Sequence, residues 1–153
     1  MKQIVSDQAL GFVATVCPDG TPNVSPKGTL AVWDGNHLVF ADIRSPATIA
    51  NLRTNPAVEI NVVDVFDRRG FRFKGTAQVI ESGELFHEIM TMYREGTIHD
   101  PLRDAERRVR CFVLVRVERV RSLVSPAYDD GATVKEVTGE WIAYWRERYP
   151  GER

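Results

Sequence analysis

Residues 14–30, ATVCPDGTPNVSPKGTL, present the main problem in interpreting this chain. Apolar residues before and within it alternate at the period of a β-strand, and Pro18-Asp19-Gly20 is typical of a tight turn. An antiparallel strand should return after that turn. Instead it is interrupted at Ser25–Thr29, because proline removes a ladder donor and glycine packs nothing. The alternating residues are Leu10, Phe12, Ala14 and Val16.

Two explanations of the interruption are open on the residues alone. In the first, Ser25–Thr29 is a bulge that bends the strand for barrel closure, and Lys27 lies in solvent. In the second, the segment contacts a ligand. Gly28 would then allow close approach to the backbone, Lys27 would supply a cation, and the two hydroxyl side chains would supply donors.

The rest of the chain predicts short strands joined mostly by turns, with three helices outside them. The predicted strands are Leu10–Cys17, Thr29–Trp33 as the continuation of strand two, His37–Ala41, Ala57–Asp64, Phe71–Ile80 and Val109–Val124. The predicted helices begin at Ser45-Pro46, after Ser82 and near Val134, with serine as the N-cap of the first two and the third ending about Arg148. This order predicts a mainly β, six-stranded antiparallel barrel with peripheral helices, in a single domain spanning residues 1–153.

Composition excludes several classes of protein. The net charge of -1 argues against a nucleic-acid protein held by phosphate neutralisation. No apolar run reaches the roughly 18 residues of a membrane span, and the N-terminus lacks the apolar core of a signal peptide, so we expect a cytoplasmic protein. Cys17 and Cys111 lie in apolar strand-like runs, where we expect them to be buried rather than paired in a disulfide.

Recognisable catalytic motifs are absent from the sequence. His37, His87 and His99 share no metal-ligand spacing, so we expect no metal site. Neither of the glycine-rich phosphate-binding fingerprints and no G-x-S-x-G elbow occurs. No catalytic side chain can be assigned, and an enzyme of this kind would depend on a cofactor that carries the reactivity itself.

A second candidate site lies at Arg44-Ser45-Pro46-Ala47-Thr48. Free backbone N–H groups and the dipole at a helix N-terminus favour an anion, and Arg44 and Thr48 add a charge and a hydroxyl. A plain capped helix that binds nothing is the alternative, in which Asn51, one turn further on, is a solvated helix residue. Arg72 and Lys74 together are typical of a solvated sheet face, and Arg107, Arg108 and Arg110 are typical of an exposed strand entry.

The strand predicted at Val109–Val124 is apolar on both faces over its first half. One face would line the barrel, so the other needs a helix or a second subunit to cover it. We take this as an indication of a homodimer.

Three segments together resemble the pyridoxamine 5′-phosphate oxidase-like family, the FMN-binding split barrels. They are residues 14–30 quoted above, VFADIRSPATIANLRTNPAVEI and GFRFKGTAQVI, in that order and spacing. The resemblance covers about Asp7 to Val120 and implies a split β-barrel. It also implies a homodimer with two flavin sites at the subunit interface.

The resemblance implies which residues hold the cofactor, FMN. Ser25, Pro26, Lys27, Gly28 and Thr29 would contact the ring system and ribityl chain, Ala41 and Asp42 would line the same site, and the helix start at Ser45–Thr48 would bind the phosphate. Pyridoxamine oxidases carry an Arg-Lys pair where this chain has Ala47 and Thr48, so the phosphate charge would be met here by Lys27, Arg44 or Arg72.

The function expected from the sequence is therefore that of an FMN-binding flavoprotein, a flavin-dependent oxidoreductase acting on a small molecule. The alternatives are an FMN-binding protein or electron carrier without catalysis, and the same barrel holding haem or a deazaflavin. An oligonucleotide-binding barrel is disfavoured by the net charge.

Overall fold

The computed structural model describes residues 1–95 and 106–151 of the 153. Over those residues the chain forms an antiparallel sheet of seven strands and four α-helices. The strands are β1 Gly11–Val16, β2 Pro22–Lys27, β3 Ala31–Val32, β4 His37–Asp42, β5 Ala57–Asp64, β6 Arg69–Ile80 and β7 Cys111–Val124. The helices are α1 Lys2–Gln8, α2 Pro46–Thr54, α3 Glu84–Arg94 and α4 Val134–Arg148, with 3-10 turns at Glu106–Arg108 and Pro126–Tyr128.

The sheet curls into a split barrel, and its two edge strands follow each other directly in the sequence. Its strand order is β2-β1-β5-β6-β7-β4-β3, so β2 and β3 lie at opposite edges although only Gly28–Leu30 separates them. The prediction that Thr29–Trp33 continues strand two is wrong: the chain leaves one edge at Lys27 and joins the other at Ala31. This crossing raises the strand count from six to seven. The predicted interruption at Ser25–Thr29 is wrong for its first half, because Ser25, Pro26 and Lys27 pair with β1 in regular register and without a bulge, and the strand ends only after Lys27.

Thr29 fixes the crossing to the far edge of the sheet. Its hydroxyl accepts a hydrogen bond from the backbone N–H of Ala41 at 3.0 Å and lies 3.3 Å from the Ala41 carbonyl oxygen. The Tyr93 hydroxyl donates to the Thr29 carbonyl. These side-chain bonds satisfy backbone groups that a strand ladder would otherwise pair.

Two apolar cores flank β7. Val13, Ile60, Phe73 and Val113 belong to the barrel interior. On the other face, Phe112 packs with apolar residues of α3, namely Ile89, Met90 and Tyr93. Helix α3 therefore supplies the cover that the two-faced strand requires, and this strand no longer argues for a second subunit.

Several of the exposed apolar residues lie on the outer face of the β2-β1 edge. Gly11, Val13 and Thr15 are the buried positions of β1, whereas Phe12 is 47% exposed. On the adjoining strand β2, Val24 lies opposite Ala14 and is 60% exposed. The alternation read in the sequence is real, but its more apolar face points away from the barrel.

The helices differ from the predictions in two respects. Gly83, not Ser82, is the N-cap of α3, and α1 has no predicted counterpart. Helix α4 begins with a capping box between Thr133 and Glu136, in agreement with the predicted start near Val134. Both cysteines are free; Cys111 is buried as expected and Cys17 is half-buried.

Within residues 1–95 and 106–151, no helix combines the length and apolarity needed to cross a bilayer.

Candidate functional site

Eight of the eleven predicted site residues line one depression of about 370 Å³. It lies where the end of β2, the end of β4 and the start of α2 meet. The eight are Ser25, Pro26, Lys27, Gly28, Thr29, Ala41, Arg44 and Ser45, and Ile43 joins them without having been predicted. The curled sheet brings the two segments together, because β2 and β4 lie far apart in strand order.

Lys27 is buried rather than solvated, so the explanation that left it in solvent is wrong. Its side chain is 5% exposed, and its ammonium donates to the hydroxyls of Ser25 and Ser45, the latter at 2.9 Å. The ammonium also lies 5.7 Å from the centre of the Phe40 ring, within the range of a cation–π contact. Burial lowers the pKa of Lys27 below its usual range, an effect that the negative charge of Asp42 opposes.

Asp42 was expected to line the site but is not among the lining residues; it contacts the depression through Ser45. The carboxylate is 2% exposed and accepts hydrogen bonds from the backbone N–H of Ser45 at 2.9 Å and from its hydroxyl at 2.8 Å. The Arg110 guanidinium reaches the same carboxylate at 2.7 Å, and the Arg110 N–H donates to the Asp42 carbonyl. A continuous polar chain therefore runs from Arg110 through Asp42 and Ser45 to Lys27.

This chain explains why Ser45 does not cap α2 with its side chain. Ser45 occupies the N-cap position and Pro46 follows it, as predicted, but the hydroxyl is engaged with Asp42 and Lys27 instead. No side chain of the described residues caps this helix start, so the first-turn N–H groups stay available for an anion. Arg44, exposed beside them, has no side-chain partner among the described residues.

Glycine at position 28 is not required by packing. A Cβ built there would meet nothing within 4 Å among the described residues. The open space agrees with a segment that a ligand approaches closely, as expected from the sequence.

Thr48 lies in the first turn of α2 but faces inward. Its side chain is 1% exposed, and its hydroxyl accepts from the Asn23 amide at 3.4 Å. The Thr15 hydroxyl accepts from Asn23 at 3.1 Å and from Asn51 at 3.0 Å, and Asn51 is 4% exposed, so the expectation of a solvated Asn51 is wrong. This buried network holds α2 against the β1-β2 hairpin. Thr15 and Asn23 were not identified from the sequence as part of it. Their signal was polar residues at directly opposed positions of a hairpin.

Arg72 does not line this depression. It pairs with Glu59 at 3.0 Å on the outer face of β5 and β6, in a different depression that Lys74, Arg119 and Arg121 also line. Among the described residues, the positively charged side chains that line the depression at the start of α2 are therefore Lys27 and Arg44.

The titration of Lys27 has a measurable consequence. Because its pKa is lowered in the folded state, the unfolded chain binds more protons at this residue between the lowered pKa and about 10.5, and stability rises with pH through that window. We expect the free energy of unfolding of the wild type, relative to Lys27→Met, to increase as pH rises from neutral toward pH 10 or so. Urea denaturation of both proteins across this range measures the difference, and a flat or falling difference would contradict the assignment.

Comparison with known proteins assigns the family. Residues 1–124 match the family model for pyridoxamine 5′-phosphate oxidase. The chain therefore belongs to the pyridoxamine 5′-phosphate oxidase family, as the resemblance predicted. An uncharacterised protein of Methanocaldococcus jannaschii, MJ0282, is 32% identical over 75 residues, which are 48% of this chain and 50% of that protein. The match thus spans about half the length of this curated relative.

Solved structures share the fold. HupZ from Group A Streptococcus is 27% identical with a TM-score of 0.68, covering 82% of this chain and 92% of that protein. An F420 reductase is 27% identical with a TM-score of 0.58, covering 78% and 94%. An FMN-binding protein from Syntrophomonas wolfei, 13% identical with a TM-score of 0.64 over 81% and 84%, shows likeness of fold alone. The mainly β split barrel is therefore confirmed.

Proposed function

We propose that this protein binds FMN in the depression of about 370 Å³ that is lined by residues of Ser25–Thr29 and Ala41–Ser45, here called the Ser25–Ser45 depression. We also propose that it is a flavin-dependent oxidoreductase acting on a small molecule. The observation that carries the proposal is the buried ammonium of Lys27, held 2.9 Å from the Ser45 hydroxyl at a helix start that no described side chain caps. The carboxylate near Lys27, that of Asp42, is shared with Arg110, so an anion bound at the free N–H groups would add favourable charge to this site.

The residues present fit a flavin mononucleotide. The α2 start and Arg44 would hold the phosphate, and Ser25–Thr29 would hold the rest of the molecule, with open space at Gly28. The bound flavin supplies reversible electron transfer, whereas the chain supplies binding and orientation. No side chain in the depression is assigned as a proton donor.

We also propose that the protein is a homodimer with its flavin sites at the interface. The support is the outer face of the β2-β1 edge, where Phe12 and Val16 of one strand and Val24 of the other are exposed. These apolar side chains lie on the sheet edge that ends at the depression, since β2 contributes both Val24 and Lys27. An exposed apolar patch of this kind favours association with a second copy.

The visible absorption spectrum of the purified protein, followed by chromatography of the released cofactor, tests the proposal. We expect FMN as the released species and sedimentation of the loaded protein as a dimer. FAD, a haem spectrum or a deazaflavin spectrum would each contradict it. Reduction by NADH or NADPH with turnover of an acceptor separates an oxidoreductase from an FMN-binding protein that only carries electrons.

A deazaflavin is the second candidate, because one structure of similar fold and 27% identity is an F420 reductase. Both ligands would place an anionic group at the α2 start. Comparing the affinities of the two ligands for the cofactor-free protein separates them.

Arg44→Ala tests where the phosphate binds. A charged hydrogen bond contributes roughly 1.5–3 kcal/mol, so we expect FMN to bind about ten- to one-hundredfold more weakly. Riboflavin, which lacks the phosphate, should bind both proteins alike. Arg53→Ala is the matched control, because Arg53 lies at the other end of the same helix and pairs with Glu81. Equal losses for FMN and riboflavin would show that Arg44 is not a phosphate ligand.

A further inference from the structure

The outer face of β5, β6 and β7 carries a second basic depression, distinct from the Ser25–Ser45 depression. It has a volume of about 200 Å³ and is lined by four cationic side chains and a single carboxylate. The lining residues are Glu59, Arg72, Lys74, Arg119 and Arg121. None of the five lines the first depression.

The strand register forces like charges into direct opposition. Arg72 of β6 lies opposite Arg121 of β7, and Lys74 lies opposite Arg119. Directly opposed side chains have Cβ atoms roughly 4.5–5.5 Å apart, and like charges there destabilise a sheet. Positions two apart on one strand are about 7 Å from each other, so the four cations occupy a rectangle of molecular size.

The chain itself relieves little of this repulsion. Glu59 pairs with Arg72 at 3.0 Å, but in residues 1–95 and 106–151 Lys74, Arg119 and Arg121 form no ion pair. A neighbouring arginine of the same strand shows the contrast, because Arg116 is paired with Glu118 at 3.1 Å. Four cations that oppose one another around one small depression are an arrangement that an external anion would stabilise.

We propose that this depression, here called the β6–β7 basic site, binds the diphosphate group of a small anionic ligand. A diphosphate carries more negative charge than a single phosphate and has the length to meet both cross-strand pairs. Arginine guanidinium groups match phosphate oxygens bidentately, and three of the four cations are arginines. The site goes beyond the proposed flavin function and does not depend on it.

Removing cations from this site should raise the melting temperature of the ligand-free protein but lower its affinity for pyrophosphate. Arg119→Gln with Arg121→Gln removes one member of each opposed pair. The ligand-free double variant should melt roughly 1–4 °C higher than the wild type, because the repulsion is relieved. The same variant should bind inorganic pyrophosphate at least about tenfold more weakly. If these arginines only stabilised the fold, their removal would not both raise the melting temperature and weaken pyrophosphate binding.

Thermal melting and calorimetric titration with inorganic pyrophosphate, at constant ionic strength, provide the test. Arg116→Gln is the matched control on the same strand and should bind pyrophosphate like the wild type. FMN-loaded and FMN-free protein should bind it equally.

Three results would overturn the proposal: no pyrophosphate binding by the wild type, unchanged binding by the double variant, or loss of binding once FMN is present. The last would assign Arg72 to the flavin site instead. Failure of the proposed FMN binding would leave the pyrophosphate titration unaffected, so the two failures are distinguishable.

Discussion

Gly75→Ala is expected to lower the free energy of unfolding by about 3 kcal/mol or more. Gly75 lies in β6 directly opposite Val117 of β7, at the irregularity that follows Lys74 in the register. A Cβ at this position would lie 2.0 Å from the Arg116 carbonyl oxygen and 3.0 Å from its carbonyl carbon. Because the obstructing atoms belong to the backbone of a paired strand, no side-chain rotation can relieve the overlap.

Urea denaturation of the variant measures the effect, and Gly139→Ala is its control. Gly139 lies within α4, and a Cβ there would meet nothing within 4 Å among the described residues. Alanine should therefore stabilise that helix by roughly 0.5–1 kcal/mol. If both variants lose similar stability, the close approach of β6 to β7 is not the reason that position 75 is glycine.

Asp42→Asn is expected to destabilise the protein by about 1–3 kcal/mol, the range for depriving a buried polar group of its partner. The amide keeps an acceptor for Ser45 but leaves the buried Lys27 without its nearest negative charge. Arg110 limits the loss, because its side chain is 52% exposed and can turn toward water. Denaturant titration gives the value.

A double variant identifies the cause. If the unpaired ammonium is responsible, Asp42→Asn combined with Lys27→Met should be less destabilised than the sum of the two single variants. Asp130→Asn is the control at an exposed carboxylate with no side-chain partner among the described residues, and it should change stability by no more than about 0.5 kcal/mol. Additive losses in the double variant would show that Asp42 and Lys27 act independently.

Local signals predicted the elements well. The turn at Asp34-Gly35-Asn36 is present, with the Asp34 carboxylate accepting from the backbone N–H of Asn36 at 2.7 Å. Pro46 begins α2 and the helix ends at Thr54, before Asn55-Pro56, as the sequence predicted. These features depend on residues within a few positions of one another, and the sequence contains all of them.

Part of the candidate site could be predicted, because two short segments of the sequence contain most of the residues that line the depression. Ser25–Thr29 and Ala41–Ser45 do meet, and the family resemblance was the reason to join them. The role of Arg110 could not be predicted, since its contact with Asp42 depends on the pairing of β4 with β7. Arg72 was joined to the site by charge alone, and the register of β6 places it elsewhere.

The sequence by itself determined where most of the strands, turns and helices form, since strand alternation, turn residues and helix caps are local properties, although α1 was not predicted. Only the tertiary structure decided that β2 and β3 lie on opposite edges of one curled sheet, and that Gly28–Leu30 crosses between them. It also decided that Lys27 is buried beside Ser45 and that like charges meet across β6 and β7. The physical reason is that sheet closure and register pair residues far apart in the chain, and no local pattern encodes those pairings.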